Sequence, residues 1–154
     1  MWFKLSSHEL LRKKGLDIFI KIGRLVDMRF IIDRRQWLRG EANWDGLSPV
    51  NRSRLLRDAD SMKCCMGFWC LARGAGLLDI VGLTSPCYVL KHHPDLYPAF
   101  AGLVVKDDMY FVDTETTRRL MTVNDNYAIE RETLREQVIK EIFAEIGDEV
   151  EFIN

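Results

Sequence analysis

The end of the chain places the tightest constraint on its fold. Leu134, Val138, Ile142 and Ile146 recur at helical spacing, Ile139 and Phe143 widen the stripe, and Gly147 supplies a stop. Glu132–Glu136 and Lys140–Glu141 fall on the side expected to face solvent. Glu149-Val150-Glu151-Phe152-Ile153 follows at once and alternates polar with apolar, the period of a half-buried strand. A strand needs a partner, and Met28-Arg29-Phe30-Ile31-Ile32-Asp33 is the other segment with that alternation. Strand 149–153 is therefore expected to pair with strand 29–33.

Between these ends the chain reads as a succession of short elements. Arg34 to Gly40 leaves the first strand with Trp37 at the core edge, and Glu41 to Asn51 has the Gly, Pro and Asn content of a loop. Asp60-Ser61-Met62-Lys63-Cys64-Cys65-Met66-Gly67-Phe68-Trp69-Cys70-Leu71-Ala72-Arg73-Gly74 reads as one helix, with Asp60 or Ser61 as N-cap and Gly74 as stop. Met62, Cys65, Met66, Trp69 and Ala72 share a face of it. Gly67 sits mid-helix, where it costs about 1 kcal/mol relative to Ala, so another backbone or a ligand must come close there. A short helical turn is expected before Pro86, and a loop from His92-His93-Pro94. A hairpin is expected near 103–112 around Lys106-Asp107-Asp108, then a helix capped by Asp113 or Thr114 and broken by Asn124-Asp125-Asn126. The expected fold class is α+β, a small mostly antiparallel sheet with helices packed on one face.

The chain of 154 residues is long enough to bury a core without staples. Its net charge of −1 hides an asymmetry: residues 1–27 carry six basic and three acidic groups, while the remainder is acidic by four. This marks 1–27 as an N-terminal extension to a single domain, 28–154, and Met28 as an alternative chain start. Read as a helix, Ser7 to Val26 would instead pack Leu10, Leu11, Phe19 and Ile20 on the body. An acidic body counts against nucleic acid, whose phosphates supply most nonspecific affinity. No window is apolar enough to span a bilayer, and four cysteines, two of them adjacent, do not form a secreted disulfide framework. A cytoplasmic location is the expectation.

Four kinds of site can be read from the residue types present. Cysteines in the first turn of a helix sit where the dipole favours a thiolate, but they also suit a small buried helix. Cys65-Met66-Gly67-Phe68 resembles the segment opening the catalytic helix of NlpC-type cell-wall peptidases, relatives of papain. That resemblance implies Cys65 (or Cys64) as nucleophile, His92 or His93 as base and Asp95 or Asp113 as orienter. The family tends to place Asp where this chain has Cys64. A metal centre is not expected, since Cys64, Cys65, Cys70 and Cys87 supply no C-x-x-C pair. No phosphate-binding loop is present and no cofactor is expected. Trp44, in a polar loop, and Arg35, Arg39 and Asn51 around it make the candidate surface for a protein partner.

Across 28–154 the chain also resembles a group of small uncharacterised bacteriophage and bacterial proteins. The residues that carry this are Asp33-Arg34-x-x-Trp37-x-Arg39-Gly40, Met62-Lys63-Cys64-Cys65-Met66-Gly67-Phe68, Leu120-Met121-x-Val123-Asn124-Asp125 and Glu145-Ile146-Gly147-x-Glu149-Val150-Glu151-Phe152. The resemblance implies a phage or prophage accessory protein that binds a host or phage protein, and brings no catalytic residue with it.

Overall fold

A computed structural model of the protein describes residues 28–39, 53–126 and 132–154. Strand β1 (Arg29–Asp33) pairs with the last strand, β4 (Glu149–Ile153), in the register Arg29↔Glu149 to Asp33↔Ile153. Phe30, Ile32, Val150 and Phe152 turn inward, as the alternation requires. The expected pair thus forms, and it runs parallel. Parallel neighbours need a long crossover, and here the whole intervening chain serves as one.

The expected hairpin forms a second, separate antiparallel sheet of β2 (Val104–Asp107) and β3 (Tyr110–Asp113). Its turn is tighter than the sequence suggested. Lys106 and Asp107 stay in the strand, and Asp108 takes the left-handed conformation (φ 43°) that Asp tolerates better than most residues. The α+β class holds, with two small sheets where one was expected.

Helix α1 (Cys65–Ala72) lies at the centre, with Cys65, Met66, Gly67, Trp69 and Cys70 all buried. It is buried on most sides, so an apolar stripe is a poor description of it, and Ala72 is exposed. Its N-cap is Cys64, not Asp60 or Ser61. Asp60 instead accepts from the Met62 N–H and pairs with Arg57, and Lys63 bridges to Trp37 in extended conformation before the helix begins. Gly67 is explained by a close backbone approach. A Cβ there would stand 1.8 Å from the Leu55 carbonyl oxygen.

Helix α2 (Leu77–Ile80) is the short turn expected before Pro86. The chain then forms α3 (Pro86–His92), which was not expected, and where a loop was expected from His92-His93-Pro94 a 3-10 turn follows at Pro94–Leu96. Proline at the first helical position has no N–H to leave unpaired, so Pro86 opens this helix. Helix α4 (Tyr97–Phe100) leads to the hairpin.

Helix α5 (Glu115–Asp125) is capped by Thr114, whose hydroxyl accepts from the Thr117 N–H. It runs beyond the expected break and carries Asn124 inward. In α6 (Glu132–Glu145), Ile139, Ile142 and Phe143 enter the core as expected, but Leu134 is 54% exposed. Arg135 and Glu136, assigned to the solvent side, are buried instead. Arg34 grips Glu136 through two hydrogen bonds of 2.5 and 2.8 Å, and Arg135 donates to the Asn126 carbonyl. Aromatic contacts close the core: Phe30 on Phe143, Trp37 on Phe152 and Trp69 on Phe100, with centroids 4.9–5.1 Å apart.

Gly67→Ala is expected to destabilise the fold by about 3 kcal/mol or more, because rigid backbone cannot yield to the new methyl. Leu134→Ala should stay within about 0.5 kcal/mol. Chemical denaturation of both variants checks the contrast.

Candidate functional site

All four cysteines are free and buried. Cys64 is the N-cap residue of α1 without a side-chain capping bond, and although helix N–H groups there favour a thiolate, removal from water pushes its thiol up to about 12. Cys65 and Cys70 are raised well above the ordinary thiol value, burial again being the largest cause. Cys87, in α3, is raised by burial too.

The residues of the peptidase-like reading find other partners. The His93 ring nitrogen lies 3.1 Å from Asp79 at the end of α2, and His92 is exposed. Asp95 is exposed in the turn Pro94–Leu96. Asp113 accepts from the Cys87 N–H at 3.2 Å and from the Ser85 hydroxyl, tying β3 to the start of α3. The Ser85 hydroxyl also points to Cys87 Sγ at 3.5 Å. Among the described residues, no thiol hydrogen-bonds to an imidazole, so α1 places its sulfurs among core side chains instead of beside a base. Nor does any group of three His, Cys, Asp or Glu side chains there gather to hold a metal ion.

Two buried polar clusters were not anticipated. The Asn124 carbonyl oxygen accepts from Trp37 Nε1 (2.8 Å) and the Cys65 N–H (3.1 Å). Its amide nitrogen donates to the Leu38 carbonyl, Ser53 Oγ and Asp125 Oδ1 at 2.8–3.2 Å. Asp125 in turn accepts from the Ser53 N–H and hydroxyl. This amide is fully engaged within the fold and has no capacity left for a ligand. The second cluster centres on Asp148, which accepts from Trp69 Nε1 at 2.6 Å, pairs with Arg73 and accepts from the Met28 N–H at 3.4 Å. One sequence signal could have found both: a buried tryptophan needs an acceptor for its N–H, and two tryptophans needed two.

Of the residues expected to form a contact surface, Trp44 and Asn51 lie outside the described residues. Arg35 is exposed but folds back on Asp33, whose carboxyl its hydrogen bonds hold down at about 2. Arg39 pairs with Glu132 at 2.6 Å and lies over the Trp37 ring. Both arginines therefore have partners within the chain.

The hairpin presents what the sequence reading did not assign. Val105 and Val112 are cross-strand partners, and Asp107 pairs with Tyr110 on the same face. On this outer face Val105, Tyr110 and Val112 are exposed, Tyr110 at 68%, and Met109 at the turn is 81% exposed. The opposite face is occupied: Val104 is buried, and Phe111 packs on Tyr97. Among the described residues, β2 and β3 pair only with each other, so each also keeps an open edge.

Set against known proteins, the chain matches no family model, no curated relative and no solved structure. No helix among the described residues is long and apolar enough to cross a membrane.

Iodoacetamide at neutral pH should label the four thiols slowly and only as fast as the protein opens, with the rate rising in step with added denaturant. The raised thiols also fix a pH dependence. Their stabilising contribution is complete below the unfolded thiol value of about 8.5 and falls as pH rises toward about 12, since the unfolded chain then releases protons the folded one retains. Denaturation midpoints measured between pH 8 and 11 should fall, and less steeply after Cys65→Ala. Asn124→Leu leaves the Trp37 and Cys65 N–H groups without an acceptor, at about 1–3 kcal/mol each. An unfolding free energy reduced by less than about 1 kcal/mol would contradict that role.

Proposed function

We propose that this protein is a small accessory, phage- or prophage-related, that acts by binding a host or phage protein and works without catalysis. The observation that carries this reading is the outer face of the hairpin. Val105, Tyr110 and Val112 stand together on one side of a two-stranded ribbon, with Met109 at its tip. Scattered apolar residues on a surface need no explanation, but aromatic and methionine side chains grouped on one small element are the composition of a contact site.

Two further observations support it. The thiols that a Cys–His hydrolase would use are withdrawn from water and held protonated. And the motifs on which the resemblance to the phage-type group rests have structural work in this fold. Asp33 caps a turn, Arg34 pairs with Glu136, Trp37 meets Asn124, and Gly67 admits the Leu55 backbone. Such motifs support a common scaffold, with the activity placed on surface residues that the motifs omit. The segment bearing Trp44 remains part of the proposed surface.

The test uses immobilised full-length protein and lysate from candidate host cells. The double variant Met109→Lys, Tyr110→Lys should reduce at least tenfold the retention of a protein that the wild type holds, with an unchanged unfolding midpoint. Loss on Trp44→Ala alone would move the contact to residues 35–51. Failure of the wild type to retain any protein, or fast alkylation of Cys65 that depends on His93, would overturn the reading.

A further inference from the structure

We propose that the outer edge of β1 pairs antiparallel with the same edge of a second copy of this chain, about a twofold axis at Ile31. In a parallel ladder one residue aims both backbone groups at its neighbour strand and the next aims them away. The Glu149 N–H donates to the Met28 carbonyl, so Met28, Phe30 and Ile32 serve β4. Arg29, Ile31 and Asp33 therefore turn their N–H and C=O groups outward. Among the described residues, no other segment engages those groups.

An edge of this kind is a template for another strand. Two other edges in the fold are less open. In β4 the outward-turned residues are Val150 and Phe152, and both are buried. In β2 the Lys106 N–H is taken by the Tyr97 hydroxyl at 3.3 Å. In β1, by contrast, Ile31 is 50% exposed at the middle of a regular strand free of proline.

Self-complementarity selects a second copy as the occupant. An antiparallel pair centred on Ile31 sets Ile31 against Ile31, and Arg29 against Asp33 at both ends, as a twofold interface requires. Every N–H and C=O of the three outward residues then finds a partner. A register shifted by two residues would set Arg29 or Asp33 against Ile31 and leave one end unpaired. Opposite charges directly across a strand pair favour it, and like charges oppose it. Arg29 also pairs with Glu151, and Asp33 with Arg35, in contacts open to solvent. The charges thus select register and partner more than they add strength. The product is a four-stranded sheet, β4-β1 of one copy continued by β1-β4 of the other. A five-residue edge buries less than the roughly 1,200–2,000 Å² of a tight complex. The dimer is accordingly weak, with a dissociation constant on the order of 10–100 µM. The inference does not depend on what the hairpin binds.

The test is sedimentation equilibrium of the full-length protein from about 1 µM to about 1 mM. A monomer–dimer equilibrium within that range is expected, with exchange of the Ile31 amide slowing as the dimer fills. Ile31→Lys sets two like charges on the axis. It should weaken association at least about tenfold, with an unchanged unfolding midpoint at low concentration. Arg29→Asp and Asp33→Lys should each associate poorly alone, since each opposes like charges at both ends. An equal mixture of the two should recover association, because every opposed pair is then of opposite sign. Asp33→Lys also removes a turn cap, so its midpoint is measured first, and Ile31→Lys decides the matter if that variant does not fold. A chain monomeric at the highest concentration, a dimer indifferent to Ile31→Lys, or a mixture of the two folded charge variants that stays apart overturns the pairing. So does a dimer lost in the double variant Met109→Lys, Tyr110→Lys, which would move the contact to the hairpin.

Discussion

The side-chain amide of Asn124 joins four stretches of chain that are distant in sequence. It receives the Trp37 indole and the first N–H of the cysteine helix, and it holds the Leu38 carbonyl and the Ser53 hydroxyl. Each of those groups is a buried donor or acceptor that would otherwise cost about 1–3 kcal/mol. The amide therefore does more than add hydrogen bonds. It sets where Trp37 can lie against Phe152, and so where β1 meets β4, and it sets the entry of α1 into the core. Asp148 repeats the device at the other end of α1, where it takes the Trp69 indole and the Arg73 guanidinium. The helix is suspended between a neutral amide and a carboxylate.

That suspension explains the state of the thiols. A helix N-terminus stabilises a nearby anion by about 0.3–1 kcal/mol at an exposed site. Removal from water acts in the opposite direction and outweighs it, leaving the Cys64 thiol pushed up to about 12. Desolvation wins because Cys64 is buried among core side chains, in the same turn where the Leu55 backbone packs close on Gly67. The glycine and the protonated cysteines are thus one feature of packing. Cysteine here behaves as a small apolar residue, which is its commonest use inside a protein.

Charge is arranged around this core with a similar division. Arg34 and Glu136 meet through two hydrogen bonds at the junction of β1 and α6, partly shielded from water, and so fix orientation. The pairs Arg29–Glu151, Arg118–Glu115 and Arg119–Glu145 lie in solvent and contribute little to stability. The hairpin keeps one face on the core through Val104 and Phe111 and turns Val105, Tyr110 and Val112, with Asp107 among them, to water.

Periodicity was enough to find β1, β4, the hairpin and α6, because alternation and helical spacing are properties of neighbours along the chain. It also located Gly67 as a point of close approach. It failed where burial was decided by residues far away. Leu134 continued the helical stripe but stayed 54% exposed, while Glu136 broke it and was buried beside Arg34. Asn124 looked like a helix breaker because its local preference is for turns, and only the convergence of Trp37, Leu38 and Cys65 turned it into the centre of the fold. The sequence by itself determined the closing helix and strand, the first strand and the hairpin, and that the four cysteines form no disulfide framework. Tertiary structure alone decided that β1 and β4 run parallel, that the thiols are sealed and that one hairpin face stays open, because each depends on distances between residues that the order of the chain does not encode.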